Sequence, residues 1–292
     1  MAVSFSLSFT DAMTQTATDD HPITLVLGAT GKTGSRVAQR LRALSYPVRA
    51  GSRSGRPSFD WSDRNSWGPA LDDVGAVYLC YQPDLGIPGA AEVVGAFVDQ
   101  AVAAKVGRIV LLSARGEPEA QAAEDRLQAS AADWTIVRCA FFCQNFTGIW
   151  REPIREGVLA VPAGDNAEPF LDVEDIADVA SAALTDDRHT GRIYELTGPR
   201  LITFHEATAE LSAAIGREVR YQPVSRDEFA AGLATAGLPA KQAGPLATLI
   251  TEFLDGRNSS LTDGVQRALG RHPREFTDFV RAAAASGVWD LS

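Results

Sequence analysis

The sequence predicts an α/β fold in which a doubly wound parallel sheet carries a smaller, mainly helical lobe at its C-terminal end. Three observations support this fold class. Short apolar runs alternate with helical segments through the first two thirds of the 292 residues, a glycine-rich turn joins the first strand to the first helix, and the last third is mainly helical in pattern. Such βαβ alternation is typical of a parallel sheet covered by helices on both faces.

The first two thirds of the chain contain most of the strands. Apolar and β-branched runs predict strands at 23–27, 47–50, 76–81, 108–113 and 134–138. Helical spacing of apolar residues predicts helices at 35–44, 90–105 and 121–132. The strand at 108–113 is a continuous apolar run, as expected of a strand that is buried on both faces of a sheet.

The remaining segments change in character. The pattern predicts a helix at 172–184, a strand at 192–196, and then helices at 204–216, 226–236, 240–255 and 274–286. Prolines separate these last helices. We therefore predict a smaller helical lobe over 199–292, packed on the C-terminal edge of the sheet.

Composition excludes several classes of protein. Hydrophobic residues make up 45% and charged residues 22% of the chain, which is usual for a globular protein. The net charge of -10 argues against a general nucleic-acid binder. No apolar run is long enough to span a membrane. With 24 of its 27 basic residues arginine, the chain has a composition typical of bacteria with GC-rich genomes.

The cysteines and histidines predict neither disulfides nor a metal site. Cys80, Cys139 and Cys143 cannot all pair within the chain, which suits a reducing compartment, and the start of the chain has no clear secretion signal. We therefore predict a cytoplasmic protein. No zinc-like spacing of ligands appears, because the histidines are scattered at His21, His189, His205 and His272.

The strongest local signal is the glycine loop at 28–34. Gly28, Gly31 and Gly34 follow a strand and precede a helix, with the spacing G-x-x-G-x-x-G. Glycines at such a turn let a pyrophosphate approach the backbone, and the helix N-terminus offers free N–H groups. We predict a Rossmann-type dinucleotide-binding domain over 22–198, after a flexible lead-in at 1–21. A tight turn with incidental glycines is the alternative.

The end of the second strand indicates which dinucleotide binds. An NAD site usually has an acidic residue there, about 20 residues after the loop, that binds the ribose 2′-hydroxyl. The segment 48–54 contains no acid but has Ser52, Arg53 and Ser54. Arg53 is suited to pair with a 2′-phosphate, so we predict NADP(H). The alternative is that Arg53 is simply a solvated surface residue.

The proton-transfer pair of ordinary short-chain dehydrogenases is missing. Those enzymes use a Tyr-x-x-x-Lys pair, and none of Tyr46, Tyr78, Tyr81, Tyr194 and Tyr221 has a lysine four residues later. Ser113 stands at the end of the 108–113 strand, where such enzymes keep a serine or threonine. Alcohol–ketone chemistry by that pair is therefore excluded.

These segments resemble the NmrA-like atypical short-chain dehydrogenase/reductase family. The resemblance rests on GATGKTG (28–34), SRSGRPSFDW (52–61), LLSARG (111–116) and DWTIVRCAFFCQNF (133–146). FLDVEDIADVA (170–180) and YQPVSRDEF (221–229) extend it over about residues 23–290. Within the family, the sequence is similar to festuclavine-type clavine reductases and to triphenylmethane reductase.

The resemblance implies roles for particular residues. Those expected at the phosphates are Gly28, Thr30, Gly31, Lys32, Thr33 and Gly34. Ser52 and Arg53 would hold the 2′-phosphate, Asp60 and Trp61 the adenine. Tyr81, Gln82 and Pro83 would lie on the ribose and nicotinamide side. Ser113 is a further candidate for cofactor binding, and the alternative is that it simply ends its strand.

The substrate pocket and the catalytic residues are less clearly indicated. Residues 141–170 are expected to supply part of the pocket. The candidates are Phe141, Phe142, Asn145, Phe146, Trp150 and Phe170, with core packing as the alternative for each aromatic ring. The catalytic candidates are Tyr81, Ser113 and Glu124, and none has an assigned proton-transfer role.

Two functions of different class remain open. The first is an NADPH-dependent reductase that delivers hydride to an iminium, quinone or enone type of small molecule, for which binding and orientation supply most of the catalysis. The second is a non-catalytic NADP(H) sensor that regulates a protein partner. The sequence leaves the oligomeric state open, with a homodimer as one option.

Overall fold

The computed structural model describes residues 21–291, so all but the last residue of the predicted lead-in lies outside the described residues. Its centre is a six-stranded parallel sheet with the strand order β2-β1-β3-β4-β5-β8. These strands are β1 (Ile23–Leu27), β2 (Val48–Gly51), β3 (Val74–Leu79), β4 (Arg108–Ala114), β5 (Asp133–Cys139) and β8 (Arg192–Leu196). The predicted Rossmann-type fold class is confirmed.

Helices cover both faces of this sheet. Those that connect its strands or pack on it are α1 (Gly34–Ala43), α2 (Trp67–Leu71), α3 (Ala90–Ala103), α4 (Pro118–Gln128), α6 (Val173–Thr185) and α10 (Gly264–Leu269). Side chains of a strand alternate between the faces. In β1, Leu25 and Leu27 pack in the same cluster as Phe97 of α3, whereas Val26 packs with Val37 of α1 and Ile176 of α6.

The rest of the chain forms a second lobe with its own apolar core. It contains α5 (Arg151–Glu156), α7 (Phe204–Ile215), α8 (Arg226–Thr235), α9 (Ala240–Phe253) and α11 (Phe276–Ala285). Two small sheets pair β6 (Val158–Val161) with β10 (Arg220–Pro223), and β7 (Ala167–Glu168) with β9 (Ile202–Thr203). Phe146 and Trp150 share this core with Phe204, Phe276 and Trp289, so segment 141–170 packs with the C-terminal lobe.

The strand order fixes where a ligand cleft can form. The chain leaves β1 to one side to form β2 and returns to the other side of β1 to form β3. At such a switch point the loops that follow the two central strands diverge and leave a crevice at the carboxyl ends of the strands. Within residues 21–291, no helix is both long and apolar enough to cross a bilayer.

Candidate active site

A cavity of about 530 Å³ lies at the carboxyl ends of β1, β3, β4 and β5. Residues at the ends of these strands and in the loops that follow them line it, together with residues of α9 in the second lobe. The residues that line it are Gly28, Gly31, Lys32, Thr33, Cys80, Tyr81, Gln82, Pro83, Asp84, Leu85, Leu112, Ser113, Ala114, Cys139, Ala140, Phe141, Phe142, Asn145, Ile149, Leu246, Leu249, Ile250 and Phe253. Its volume is typical of small-molecule and cofactor sites.

The glycine loop is built so that β1 and α1 approach each other closely. Gly28 has φ +67°, a left-handed conformation that favours glycine, and the amide of Gly31 donates to its carbonyl oxygen (2.8 Å). A Cβ on Gly34 would lie 2.3 Å from that same oxygen, so only glycine fits the first position of α1. The loop thus places the N-terminus of α1, the positive end of the helix dipole, beside the cavity, where a phosphate can bind.

The residues predicted to bind the adenosine part lie outside the cavity lining. Arg53 is exposed just after β2, and Ser52 Oγ lies 3.4 Å from Ser54 Oγ. The pKa of Asp60 is lowered, because its carboxylate accepts hydrogen bonds from Ser62 and stands near the positive charge of Arg53. Thr30 is likewise exposed and absent from the lining.

Trp61, which was predicted to hold the adenine, contacts two residues of the cavity lining. Its Nε1 donates to the carbonyl oxygen of Cys80 (3.3 Å), and its ring lies 5.0 Å from that of Tyr81. Tyr81 itself lines the cavity together with Gln82 and Pro83. Burial raises the pKa of Tyr81, and the nearby carboxylate of Glu119 raises it further.

Lys32 extends away from the helix N-terminus towards the second lobe. Its Nζ donates to Asn145 Oδ1 (2.7 Å), in the turn that follows β5. A Cβ on Gly148 would lie 3.0 Å from the same Nζ, so this glycine leaves room for the ammonium group. Burial lowers the pKa of Lys32. The structure therefore brings Lys32 together with Asn145. From the sequence, Lys32 was expected at the phosphates of the cofactor and Asn145 in the substrate pocket.

Ser113 connects the cavity to a buried charged network. Its Oγ donates to Glu124 Oε1 (2.5 Å), and Arg138 donates to both carboxylate oxygens of Glu124 (3.0 and 2.5 Å). Arg138 also donates to Glu195 (3.2 Å). The pKa of Arg138 is raised, chiefly by its hydrogen bonds to Glu124. Glu124 lies behind Ser113 and outside the cavity lining, where it orients Ser113 and pairs with Arg138.

The six predicted pocket residues separate into two groups. Phe141, Phe142 and Asn145 line the cavity. The other three are core residues of the second lobe, at most 3% exposed: Phe146, Trp150 and Phe170. Trp150 stacks behind Phe141 at 5.3 Å between ring centroids, so it supports the cavity wall from behind.

Sequence reasoning missed the wall contributed by α9. Leu246, Leu249, Ile250 and Phe253 line the cavity. Their spacing of three and four residues places them on one face of a helix. That spacing was visible in the sequence, but it equally fits a helix face that packs into a core. Asp84 was also missed; burial raises its pKa, and it accepts a hydrogen bond from the amide of Gly86 (2.8 Å).

Comparison with known proteins identifies the family. No protein-family model matches the chain. It is 34% identical over 277 residues to an uncharacterised oxidoreductase of Bacillus subtilis, covering 91% of this chain and 96% of that protein. It is 35% identical to a (4-alkanoyl-5-oxo-2,5-dihydrofuran-3-yl)methyl phosphate reductase of Streptomyces griseus (87% and 95% covered). It is 31% identical to the agroclavine dehydrogenase of Claviceps fusiformis (88% and 95% covered).

Solved structures share the fold at lower identity. The triphenylmethane reductase of Citrobacter sp., crystallised with NADP(H), has a TM-score of 0.74 at 22% identity, covering 90% of this chain and 99% of that one. NmrA, a negative transcriptional regulator crystallised with NAD, has a TM-score of 0.71 at 15% identity (93% and 99% covered). The resemblance found in the sequence is confirmed. The chain is an oxidoreductase of the NmrA-like atypical short-chain dehydrogenase/reductase family.

Proposed function

We propose that the protein is an NADPH-dependent reductase that delivers hydride to an electrophilic, conjugated small molecule. The observation that carries this proposal is the cavity itself, which joins the glycine loop to an apolar wall on α9. A protein that only senses its cofactor has no need of an apolar chamber beyond the phosphate loop. A reductase needs one, because the acceptor must lie against the nicotinamide.

The residues of the loop fit a dinucleotide. Gly34 allows the helix N-terminus to come within reach of a pyrophosphate, and Gly28 adopts the turn that such a loop requires. Gly31 and Thr33 face the cavity beside them. When bound, NADPH supplies the hydride. The chain's own residues bind the cofactor, exclude water with the α9 wall and orient the acceptor.

The lining favours a flat, conjugated acceptor. Phe141, Phe142 and Phe253 contribute aromatic surface, and Leu249 and Ile250 contribute aliphatic surface. Such walls bind planar apolar molecules through burial and ring contacts. The names of two relatives agree with this class, since one is a reductase of a 5-oxo-2,5-dihydrofuran and another is an NAD(P)H azoreductase.

The test is NADPH oxidation against a panel of quinones, enones and iminium salts. We expect turnover with at least one class, and product formation that matches NADPH consumption. Tight binding of NADPH with no turnover of any acceptor would instead support the alternative function, a sensor. NmrA, a negative transcriptional regulator, is among the proteins that share this fold.

Arg53→Ala tests the choice of cofactor. We expect NADPH binding to weaken by about 1.5–3 kcal/mol, the usual contribution of a hydrogen bond to a charged group. NADH binding should barely change, because NADH has no 2′-phosphate. Titration of both cofactors measures this, with Arg56→Ala as the control, since Arg56 is an exposed arginine in the same loop. Equal losses for NADPH and NADH would exclude the pairing.

Tyr81→Phe tests whether a tyrosine acts as the acid. Tyr81 lines the cavity but has no lysine four residues later, and burial and Glu119 both raise its pKa. We expect kcat to fall less than about tenfold, whereas loss of a true general acid typically costs about 10²–10⁴-fold. The measurement is kcat and KM with an acceptor found in the panel. A fall in kcat beyond about 100-fold, with NADPH binding intact, would identify Tyr81 as the proton donor.

The cytoplasm remains our predicted location. Cys80, Cys139 and Cys143 are all free thiols in the structure. Unpaired cysteines are usual in a reducing compartment.

A further inference from the structure

We propose that Lys32 is the group that binds the oxygen of the acceptor on which negative charge develops, and that it gives this oxygen a proton. The inference rests on the proposed reductase function and adds a residue and an acceptor class to it. Lys32 would then supply the proton that the Tyr-x-x-x-Lys pair supplies in ordinary short-chain dehydrogenases. It would do so from a different place in the fold, the turn between β1 and α1.

The first argument is the position of the ammonium group. Lys32 lines the cavity, and its Nζ reaches Asn145 in the turn after β5. That turn is fixed to the body of the protein, since the amide of Cys143 donates to the carbonyl oxygen of Leu171 (2.9 Å). The ammonium group is therefore held between the glycine loop and the aromatic residues that follow β5, and this is where we place the oxygen of the acceptor.

The second argument is the capacity of Lys32 to bind a further group. An ammonium group has three N–H donors, and Asn145 Oδ1 accepts one of them. Among residues 21–291, no carboxylate forms an ion pair with Nζ, and burial is the one cause of its lowered pKa. Two donors and an uncompensated positive charge thus remain for a ligand oxygen.

The third argument is the distribution of charge around the cavity. In the described part of the chain, Lys32 and Asp84 are the charged residues of the lining. The Asp84 carboxylate accepts a hydrogen bond from the amide of Gly86 within its own loop (2.8 Å). Among residues 21–291 this carboxylate and the ammonium group form no ion pair, and the ammonium group lies instead beside Asn145.

The chemistry follows from these contacts. Bound NADPH would supply the hydride and would be oxidised to NADP⁺. The hydride forms a C–H bond at a ring or β-carbon of a quinone or enone, and the π electrons move to the carbonyl oxygen. That oxygen takes a proton as an N–H bond of Lys32 breaks, and the neutral amine regains a proton from water. Lys32 thereby favours acceptors that become anionic, and it disfavours cationic iminium acceptors by charge repulsion.

The experiment compares wild type with Lys32→Met and with Lys32→Gln, the second variant retaining a polar group in case the first fails to fold. Lys105→Met is the matched control, since Lys105 is an exposed lysine outside the cavity. With menadione as acceptor, kcat should fall about 100-fold in both Lys32 variants. With an iminium salt as acceptor, kcat/KM should stay the same or rise.

A second measurement does not depend on turnover. Titration of the cofactor-free protein with para-nitrophenolate, a mimic of the anionic product, should show affinity that is about 10–100-fold lower in the Lys32 variants, as for loss of one charged hydrogen bond. Neutral para-nitroanisole should bind all variants alike. Equal affinity of wild type and Lys32 variants for para-nitrophenolate would overturn the inference.

The two hypotheses can fail separately. If wild type reduces no acceptor, the proposed function fails, and the para-nitrophenolate titration still decides the role of Lys32. A second case is that wild type is active and that both Lys32 variants lose kcat/KM by the same factor with menadione and with the iminium salt. If NADPH binding also weakens by that factor, Lys32 is a phosphate ligand and the inference is wrong.

Discussion

Gly34→Ala is expected to remove NADPH binding and to destabilise the protein. A Cβ at this position would lie 2.3 Å from the carbonyl oxygen of Gly28 and 3.0 Å from that of Leu27. Both atoms belong to rigid backbone, so β1 and α1 must move apart to accommodate the methyl group. Overpacking of this kind costs about 1–3 kcal/mol of unfolding free energy, and the shifted helix N-terminus no longer meets the pyrophosphate.

Two measurements check this expectation. Calorimetry should show a lower Tm. Each kcal/mol of lost unfolding free energy lowers the Tm of a domain of about 150–250 residues by roughly 2–4 °C. Fluorescence titration should show no saturable NADPH binding. Gly232→Ala is the matched control, because a Cβ there meets no atom within 4 Å and Gly232 lies inside α8. Full NADPH affinity in Gly34→Ala would show that the loop is not the phosphate site.

Glu124→Ala is expected to cause the largest loss of stability. Glu124 is 1% exposed, and it binds Ser113 and Arg138 through three hydrogen bonds. Its removal leaves a partly buried guanidinium with Glu195 as its remaining carboxylate partner. Breaking a buried ion pair typically costs about 3–5 kcal/mol, and we expect about 3 kcal/mol because Arg138 keeps that second partner.

Urea unfolding measures this change directly. Asp125→Ala is the matched control, since Asp125 is the next residue on the same helix and is exposed. The control should change the unfolding free energy by less than about 0.5 kcal/mol, as is usual for surface positions. A loss below about 1 kcal/mol for Glu124→Ala would show that the network contributes little to stability.

The sequence predicted the parts of the fold that depend on local pattern. The strand at 192–196 and the helices from 204 onwards agree with the structure within a few residues, because periodic apolar spacing is a local property. The helix predicted at 121–132 begins instead at Pro118, a residue suited to the first turn of a helix, and ends at Gln128. The short α5 and α10 were missed because six residues carry too little periodicity.

The site was predicted less completely, for a physical reason. Local motifs identify residues by their place in the chain, so Gly28, Gly31 and Ser113 could be predicted as candidates, and all three line the cavity. The direction of a side chain depends on distant packing. Phe146 turns into the core of the second lobe, and Lys32 reaches across to Asn145 over 113 positions of sequence. No local pattern contains that information.

The residues that line the cavity come from two different parts of the chain. In the proposed reductase, the residues that select the acceptor can therefore be changed separately from those that bind the cofactor. The cofactor side consists of strand ends and the glycine loop, whereas α9 supplies the facing side through Leu246, Leu249, Ile250 and Phe253. On the sheet side, β4 and β5 are joined by a regular parallel ladder of seven residue pairs, whereas α9 contributes side chains to the cavity. If the protein is the reductase proposed above, substitutions on this helix face are expected to change the acceptor site and to leave the cofactor-binding residues unchanged. Laboratory evolution towards a new acceptor is best confined to these four positions.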